Sequence, residues 1–599
     1  MKAPASISLP FAVAILLIPA SFAWSYFHDA ATQDGPSHLA AAKIANDWVM
    51  QSLGNTRPGA VFETYRLQFE PVPNWSGQAL GMALCATLPI HLAEILMNLA
   101  GVWIPAMSLA WLVVSIRNAG STDESEWAGT IFHALWISTL ATNVLWTFGF
   151  TSFLLGLGMA WFFLGRLLVF ARSGGCFRWF TLTLFWCATF VCHLVAFAIG
   201  GVIAGCLLLF YPGWSIARRV AIAVSLGCAA PLWLRYRNLT GGSAFEPIWE
   251  HLSGSELLSV SNWARQFGWI DPLSLHTKSW HPFTGDIGAK GLAFQPGVWI
   301  AVASSAVVFE ALRRRFIGIR NDISKSEVTN RIPGGAGHFE AEKSGEPLNS
   351  PKRIARFAAS IRQRRLPEWF GFVVAGSILA ILGTIGPDSL GAQQGHYLPQ
   401  RFCLAALCLV PLILSTVQCR VSSISTGFLA IAWVLQTAGA IDFARSSHHL
   451  TQPVRAEADS IHPGDRILAL IDAVPWPYRS NPRLHADALL VQGADDVASW
   501  NLYEAAHPYF PLRFRSMVPE MEPAALEAYS LAVTRNDPAI AEQELDSILS
   551  AAEGRATVVA ILTDRSSPRR IQAEKVLSQR AAWRKVTSGP ECLIYRGIE

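Results

Sequence analysis

The chain has 599 residues, of which 52% are hydrophobic and only 15% charged, with 23 tryptophans and a formal net charge of +4. Soluble domains carry roughly a quarter charged residues, so this is the composition of a membrane protein. The cations lie between apolar runs and form no basic domain, which excludes counterion-driven binding of nucleic acid.

The first apolar run, SLPFAVAILLIPASFAWSYF, is about 20 residues long, enough for ~30 Å of hydrocarbon and long for a secretory signal. It reads as an uncleaved helix with its N-terminus in the cytoplasm. Directly behind it stands QDGPSHLAAAKIANDWV, residues 33–49. Here Asp34 precedes a Gly35-Pro36 turn that restricts the backbone, and a helix starting near Ser37 aims Asp34 and His38 into one neighbourhood. Lys43 follows on the same helix. The bland alternative for DGPS is a plain surface turn.

Ten more apolar runs lie near 97–116, 127–145, 148–170, 178–194, 197–212, 218–235, 296–312, 369–386, 401–418 and 421–440, so about eleven spanning helices are expected. Arginines in short loops stay cytoplasmic, and three loops carry them: Arg166, Arg172 and Arg178; Arg218 and Arg219; and the stretch 313–368. The last holds ten Arg and three Lys against six acids. All three fall inside if 76–95, interrupted by Pro89, His91 and Glu94, is an amphipathic helix on the external surface. The resulting topology has external loops at 28–96, 236–295 and 387–400 and a basic cytoplasmic loop at 313–368.

The second external loop combines Trp263, Trp269, Trp280, His276, Lys278, His281 and Asp286. Aromatic platforms with polar edges suit sugar rings, and tryptophan also belongs at bilayer interfaces. The third loop puts Asp388, His396, Tyr397 and Arg401 at the mouth of a span. Arg401 there is either a snorkelling anchor or a fixed cation for a phosphate.

Beyond 441 the pattern changes. GDRILALIDA, TVVAILTDR and ECLIYRG read as short buried strands, while 522–554 and 568–583 have helical spacing. The expected fold is therefore a polytopic α-helical membrane domain, 1–440, with an external C-terminal α/β domain, 441–599. No Gly-rich phosphate loop follows a strand, and no C-x-x-C pair suggests zinc or redox chemistry. The aromatic stretch NLYEAAHPYFPLRF, 501–514, suits packing against the membrane part or contact with an acceptor.

A first span followed by an acid in the first external loop, a surface helix after Pro-Trp, about ten further spans and an outer C-terminal domain resembles the integral-membrane GT-C glycosyltransferases. These are the protein O-mannosyltransferase and aminoarabinose transferase type. The resemblance rests on QDGPSHLAAA (33–42), EPVPNW (70–75) leading into HLAEILMNLAG (91–101), GFTSFLLGLGMA (149–160) and GHYLPQRF (395–402). It implies a polyprenyl-phosphate-linked sugar donor, a glycan, lipid or protein acceptor at the envelope, and a location in the inner membrane with the C-terminal domain periplasmic. It further implies Asp34 as general base, with His38, Lys43, Lys278, His396, Tyr397 and Arg401 as substrate-binding candidates. The family's frequent second acid is replaced here by Gly35, and no metal or other cofactor is indicated. The rival expectations are a transporter or flippase, and a non-catalytic relative acting as an assembly module.

Overall fold

The computed structural model describes residues 8–54, 59–117, 126–239, 270–276, 296–307, 367–386, 397–417, 421–471, 476–507, 509–516, 538–565 and 567–598. Most of the described chain is helical. In order come α1 (Leu9–Tyr26), α2 (Gly35–Leu53), α3 (Ala60–Thr64), α4 (Trp75–Thr87), α5 (Ile90–Arg117), α6 (Glu126–Ala141), α7 (Val144–Thr147) and α8 (Thr151–Ser173). They are followed by α9 (Cys176–Cys192), α10 (Leu194–Phe210), α11 (Ile216–Gly227), α12 (Ala230–Leu239), α13 (Pro296–Val307), α14 (Phe370–Ile385), α15 (Leu398–Val417) and α16 (Ser423–Arg455).

Six helical stretches among the described residues are long and apolar enough to cross a membrane: α1, α5, α8, Ile216–Leu239, α15 and the helix from Ser423. The five other expected runs fall on α6, α9, α10, α13 and α14, none longer than 17 residues as described. At 1.5 Å per residue, 17 residues reach about 26 Å, short of a ~30 Å hydrocarbon layer. Among the described residues, six helices are long enough to cross where eleven crossings are expected.

Helix packing sorts the polar residues to two ends of the bundle, with α5 and α8 side by side and parallel. Arg172, at the end of α8, donates to Ser115 O near the end of α5, and Arg218, at the start of α11, donates to Ala171 O. The start of α8, the α9–α10 joint and the start of α15 gather at the opposite end, next to Asp34. The basic stretch 313–366 lies outside the described residues, as does most of the second predicted loop.

The α/β region holds a five-stranded sheet in the order β3-β2-β5-β7-β6, with β2 (Arg466–Ile471), β3 (Ala498–Ser499), β5 (Val558–Leu562), β6 (Trp583–Ser588) and β7 (Cys592–Gly597). Strands β3, β2 and β5 are parallel, β7 runs antiparallel to β5, and the edge strand β6 runs antiparallel to β7. Val558–Leu562 is buried throughout, as a central strand covered on both faces should be. Two short helices, α17 (Asp487–Val491) and α18 (Tyr503–Ala506), and two longer ones, α19 (Pro538–Ala552) and α20 (Pro568–Gln579), complete the region.

Two expectations about its limits are corrected. Residue 441 is inside the 33-residue helix α16, which runs on to Arg455 because SSHHLTQPVR keeps packing against the α1–α2 linker. Residues 580–583 do not extend α20: Trp583 opens β6, where it is buried on the sheet.

The α/β region is also not closed on itself. Ala40, Ala41, Ile44 and Ala45 of α2 share its apolar core, and the strand β1 (Tyr65–Leu67) pairs antiparallel with β4 (Leu512–Phe514). Helix α2 can lie this deep because alanine favours the helix and projects only a methyl group. Its other side, Leu39 and Ala42, faces α5 and α4, and a Cβ on Gly81 of α4 would come 2.7 Å from that of Ala42. The helix that follows Asp34 is thus wedged between the bundle and the sheet.

Candidate functional site

Asp34 occupies the position that precedes the first helical residue of α2, with Pro36 in the first turn, where its missing N–H costs nothing. An aspartate there ordinarily caps the helix with its side chain. This one makes no such bond, and Thr32 Oγ1 accepts from Gly35 N–H instead, at 3.1 Å. The carboxylate is left for other partners: Gln33 Nε2 donates to Oδ1 at 3.2 Å, and His485 Nε2 stands 3.5 Å from the same oxygen. It keeps 22% of its side-chain surface open.

The backbone beneath Asp34 is fixed from three sides. Gln33 N–H and Asp34 N–H donate to Thr147 O and Phe148 O at 3.0 and 2.9 Å. Ser447 of α16 both donates to and accepts from Ala31, and Thr451 donates to Asp29 O. Gly149, with φ +84°, sits so close that a Cβ there would meet Gly35 N at 2.5 Å and Thr32 Oγ1 at 2.7 Å. Glycine is required here for both reasons.

One turn along α2, His38 meets a residue of the α/β region. Its Nδ1 lies 2.8 Å from Glu504 Oε1, and Ser37 Oγ donates to Glu504 Oε2. Glu504 is 1% exposed and follows β3 in the short helix α18, while His485 follows β2. Both therefore come from beyond the carboxyl ends of parallel strands, where α/β sheets place their ligand crevices. Tyr503, Tyr509 and Phe510 close the same side, with the Phe510 ring 5.8 Å from His38.

The electrostatics follow from burial and pairing. Desolvation raises the carboxyl of Asp34 above its ordinary value, against the pull of His485 and His38. For His38, burial disfavours the imidazolium, but the hydrogen bond and charge of Glu504 outweigh it and the net shift is upward. Burial likewise opposes ionised Glu504, and His38 and Ser37 overcome it, so its carboxyl is lowered.

Facing this group is Arg401, in the first turn of α15 and only 5% exposed. Its guanidinium lies over Phe150 and Phe153, 4.5 and 5.1 Å from their centroids. Among the described residues Nε has no hydrogen-bond partner, and no carboxylate is within ion-pair distance. Asp34 is near enough to act on it electrostatically. Arg401 NH1 is 3.4 Å from His193 Nε2, but His193 Nδ1 already accepts from Val195 N–H as the cap of α10. A neutral ring so engaged carries its proton on Nε2. Two donors therefore meet with no acceptor between them, an arrangement that an anion satisfies.

Of the predicted residues, Asp34, His38 and Arg401 come together. Tyr397 joins them: its ring stacks 4.4 Å from Phe148 and 5.7 Å from Phe150, and its φ of +63° is one that a bulky residue adopts at a cost of about 1–3 kcal/mol. Lys43 does not join. Further along α2, it binds Ala494 O, Asp47 and Asp495, and serves the contact between α2 and the α/β region. Lys278 and His396 lie outside the described residues, and His276 packs its ring on Tyr478. Sequence reasoning missed His193, His485 and Glu504. The first stood in plain view as a lone polar residue at the joint of two apolar runs, and Glu504 as a lone acid in an aromatic stretch.

The chain matches no protein-family model and no curated protein. The functional reading accordingly rests on the site and its chemistry.

Proposed function

We propose that this chain is an integral-membrane glycosyltransferase that moves a sugar from a polyprenyl-phosphate-linked donor to an envelope acceptor, with inversion at the anomeric carbon. The observation that carries the reading is the pairing of opposites at one end of the bundle. Asp34 is a carboxylate withheld from capping, and near it Arg401 and His193 present donors with no carboxylate among the described residues to receive them.

Asp34 takes the proton from the acceptor hydroxyl, the acceptor oxygen bonds to the anomeric carbon, and the carbon–oxygen bond to phosphate breaks with its electron pair leaving on the phosphate. That leaving group is already anionic, so one base is enough, whereas expelling an alkoxide needs two carboxyl groups. Arg401 and His193 bind the phosphate and stabilise its growing charge in a desolvated setting. In this reading α6, α9, α10, α13 and α14 cross with the six longer helices to make eleven passes. The N-terminus and arginine-rich turns are then cytoplasmic, and the site and α/β region are external.

Asp34→Asn tests the assignment, because amide and carboxylate differ little in size. Purified protein incubated with a panel of polyprenyl-phosphate hexoses and pentoses, and an envelope extract as acceptor source, should release polyprenyl phosphate. The variant should fold normally and lose at least ~10²-fold in turnover, the usual weight of a general base. Unchanged turnover removes Asp34 as the base.

A further inference from the structure

Asp34 keeps 22% of its side-chain surface open and has two imidazoles near it, His485 at 3.5 Å and His38 one turn along α2, that can share the proton it takes. The candidate carrier is the one on the same helix. His38 N–H donates to Asp34 O at 3.0 Å, so the two side chains are one turn apart and share a face.

The His38 ring is built as a proton carrier. Its Nδ1–H is committed to Glu504 at 2.8 Å, and Glu504 is itself immobilised, since Ser37 occupies its other oxygen. A buried carboxylate on one ring nitrogen fixes the tautomer, orients the ring and stabilises the imidazolium that forms when the other nitrogen takes a proton. Nε2 has no hydrogen-bond partner among the described residues, and the side chain keeps 13% of its surface open. We infer that His38, oriented by Glu504 of the α/β region, relays the acceptor's proton from Asp34 to solvent. This rests on the glycosyltransferase reading.

The balance is simple. The proton leaves the acceptor oxygen for Asp34, passes to His38 Nε2, and leaves as hydronium, while Glu504 stays ionised throughout. The groups that act on His38 are Asp34 on its own helix, Glu504 from the α/β region, and His193 from the α9–α10 joint. Glu504 is a positioning residue, because it works through His38.

The test uses the full-length protein and the same donor panel. His38→Gln should lower kcat by about 10²-fold with the donor KM unchanged. Imidazole added to His38→Gly should restore part of the loss, which a structural role would not allow. Turnover should rise with pH as His38 becomes neutral, and Glu504→Gln should move that rise to lower pH, because the ring loses its carboxylate. Wild-type kcat and an unchanged pH profile in His38→Gln overturn the relay. Should the wild-type protein release polyprenyl phosphate from none of the donors, the glycosyltransferase reading fails by itself. The pair is then judged by histidine NMR titration: a lower His38 titration point in Glu504→Gln supports it, and an unchanged one overturns it.

Discussion

At the scale of residues, the site is a set of charges kept from their usual partners. Arg401 is buried over two phenylalanines with an unsatisfied Nε, an arrangement costly to folding, since cations inside a membrane domain are ordinarily paired. Arg401→Gln should therefore melt no lower than the native protein while donor affinity falls by at least ~10²-fold, as measured by thermal unfolding alongside donor binding. A lower melting temperature with intact donor binding would make Arg401 structural. The His38–Glu504 pair makes a prediction about pH. Glu504 titrates below its ordinary 4.5, so its stabilising effect is full above that pH and fades as the medium becomes more acid. His38 titrates above its ordinary 6.5, so its effect is full below that pH and is lost on moving up through its shifted value. Asp34, raised by desolvation, contributes in the same sense as His38, most when protonated. Contact between α2 and the α/β region should be tightest between these limits, and hydrogen exchange at residues 37–45 should slow there and quicken on either side. Exchange indifferent to pH beyond its intrinsic chemistry would count against the pair.

At the scale of elements, α2 and the turn before α8 position everything else. QDGPSHLAAA was legible as a turn entering a helix, because Gly-Pro and the alanines speak locally. That its acid would go uncapped was not, since Thr32 and Gly149 act through space. Gly149→Ala should displace Asp34: φ of +84° and contacts of 2.5 and 2.7 Å leave no room for a methyl group. The expected cost is about 1–3 kcal/mol of stability from the backbone alone, with turnover down at least tenfold. Gly174→Ala is the control, having φ +64° with nothing within 4 Å of the added carbon, at the far end of the same helix. It should strain the backbone comparably and leave turnover intact; equal loss in both variants would dismiss the special role of Gly149. The helix α16 shows the opposite limit of local reading. Its apolar run ends near 440, yet hydrogen bonds from Ser447 and Thr451 to the α1–α2 linker carry the helix on to Arg455.

At the scale of the whole molecule, the α/β region and the first loop form one body. Deleting everything after Arg455 would uncover Ala40, Ala41, Ile44, Tyr65 and Leu67, and would remove Glu504 and His485. Such a truncation should lose donor turnover altogether, and residues 28–75 should become open to proteolysis; a protected, active truncation would refute the shared core. Composition and apolar run length by themselves determined a helical membrane-type bundle with an α/β region behind it, because burial in lipid or in a sheet core is written as long apolar periods. Loop chemistry likewise singled out Asp34, His38, Tyr397 and Arg401. Only the tertiary structure decided which residues meet them: His193 from a helix joint, and His485 and Glu504 from the far end of the chain. It also decided that Lys43 turns away. Pairings across such separations depend on how helices and sheet pack, and a side chain's neighbours leave no mark on the local pattern around it.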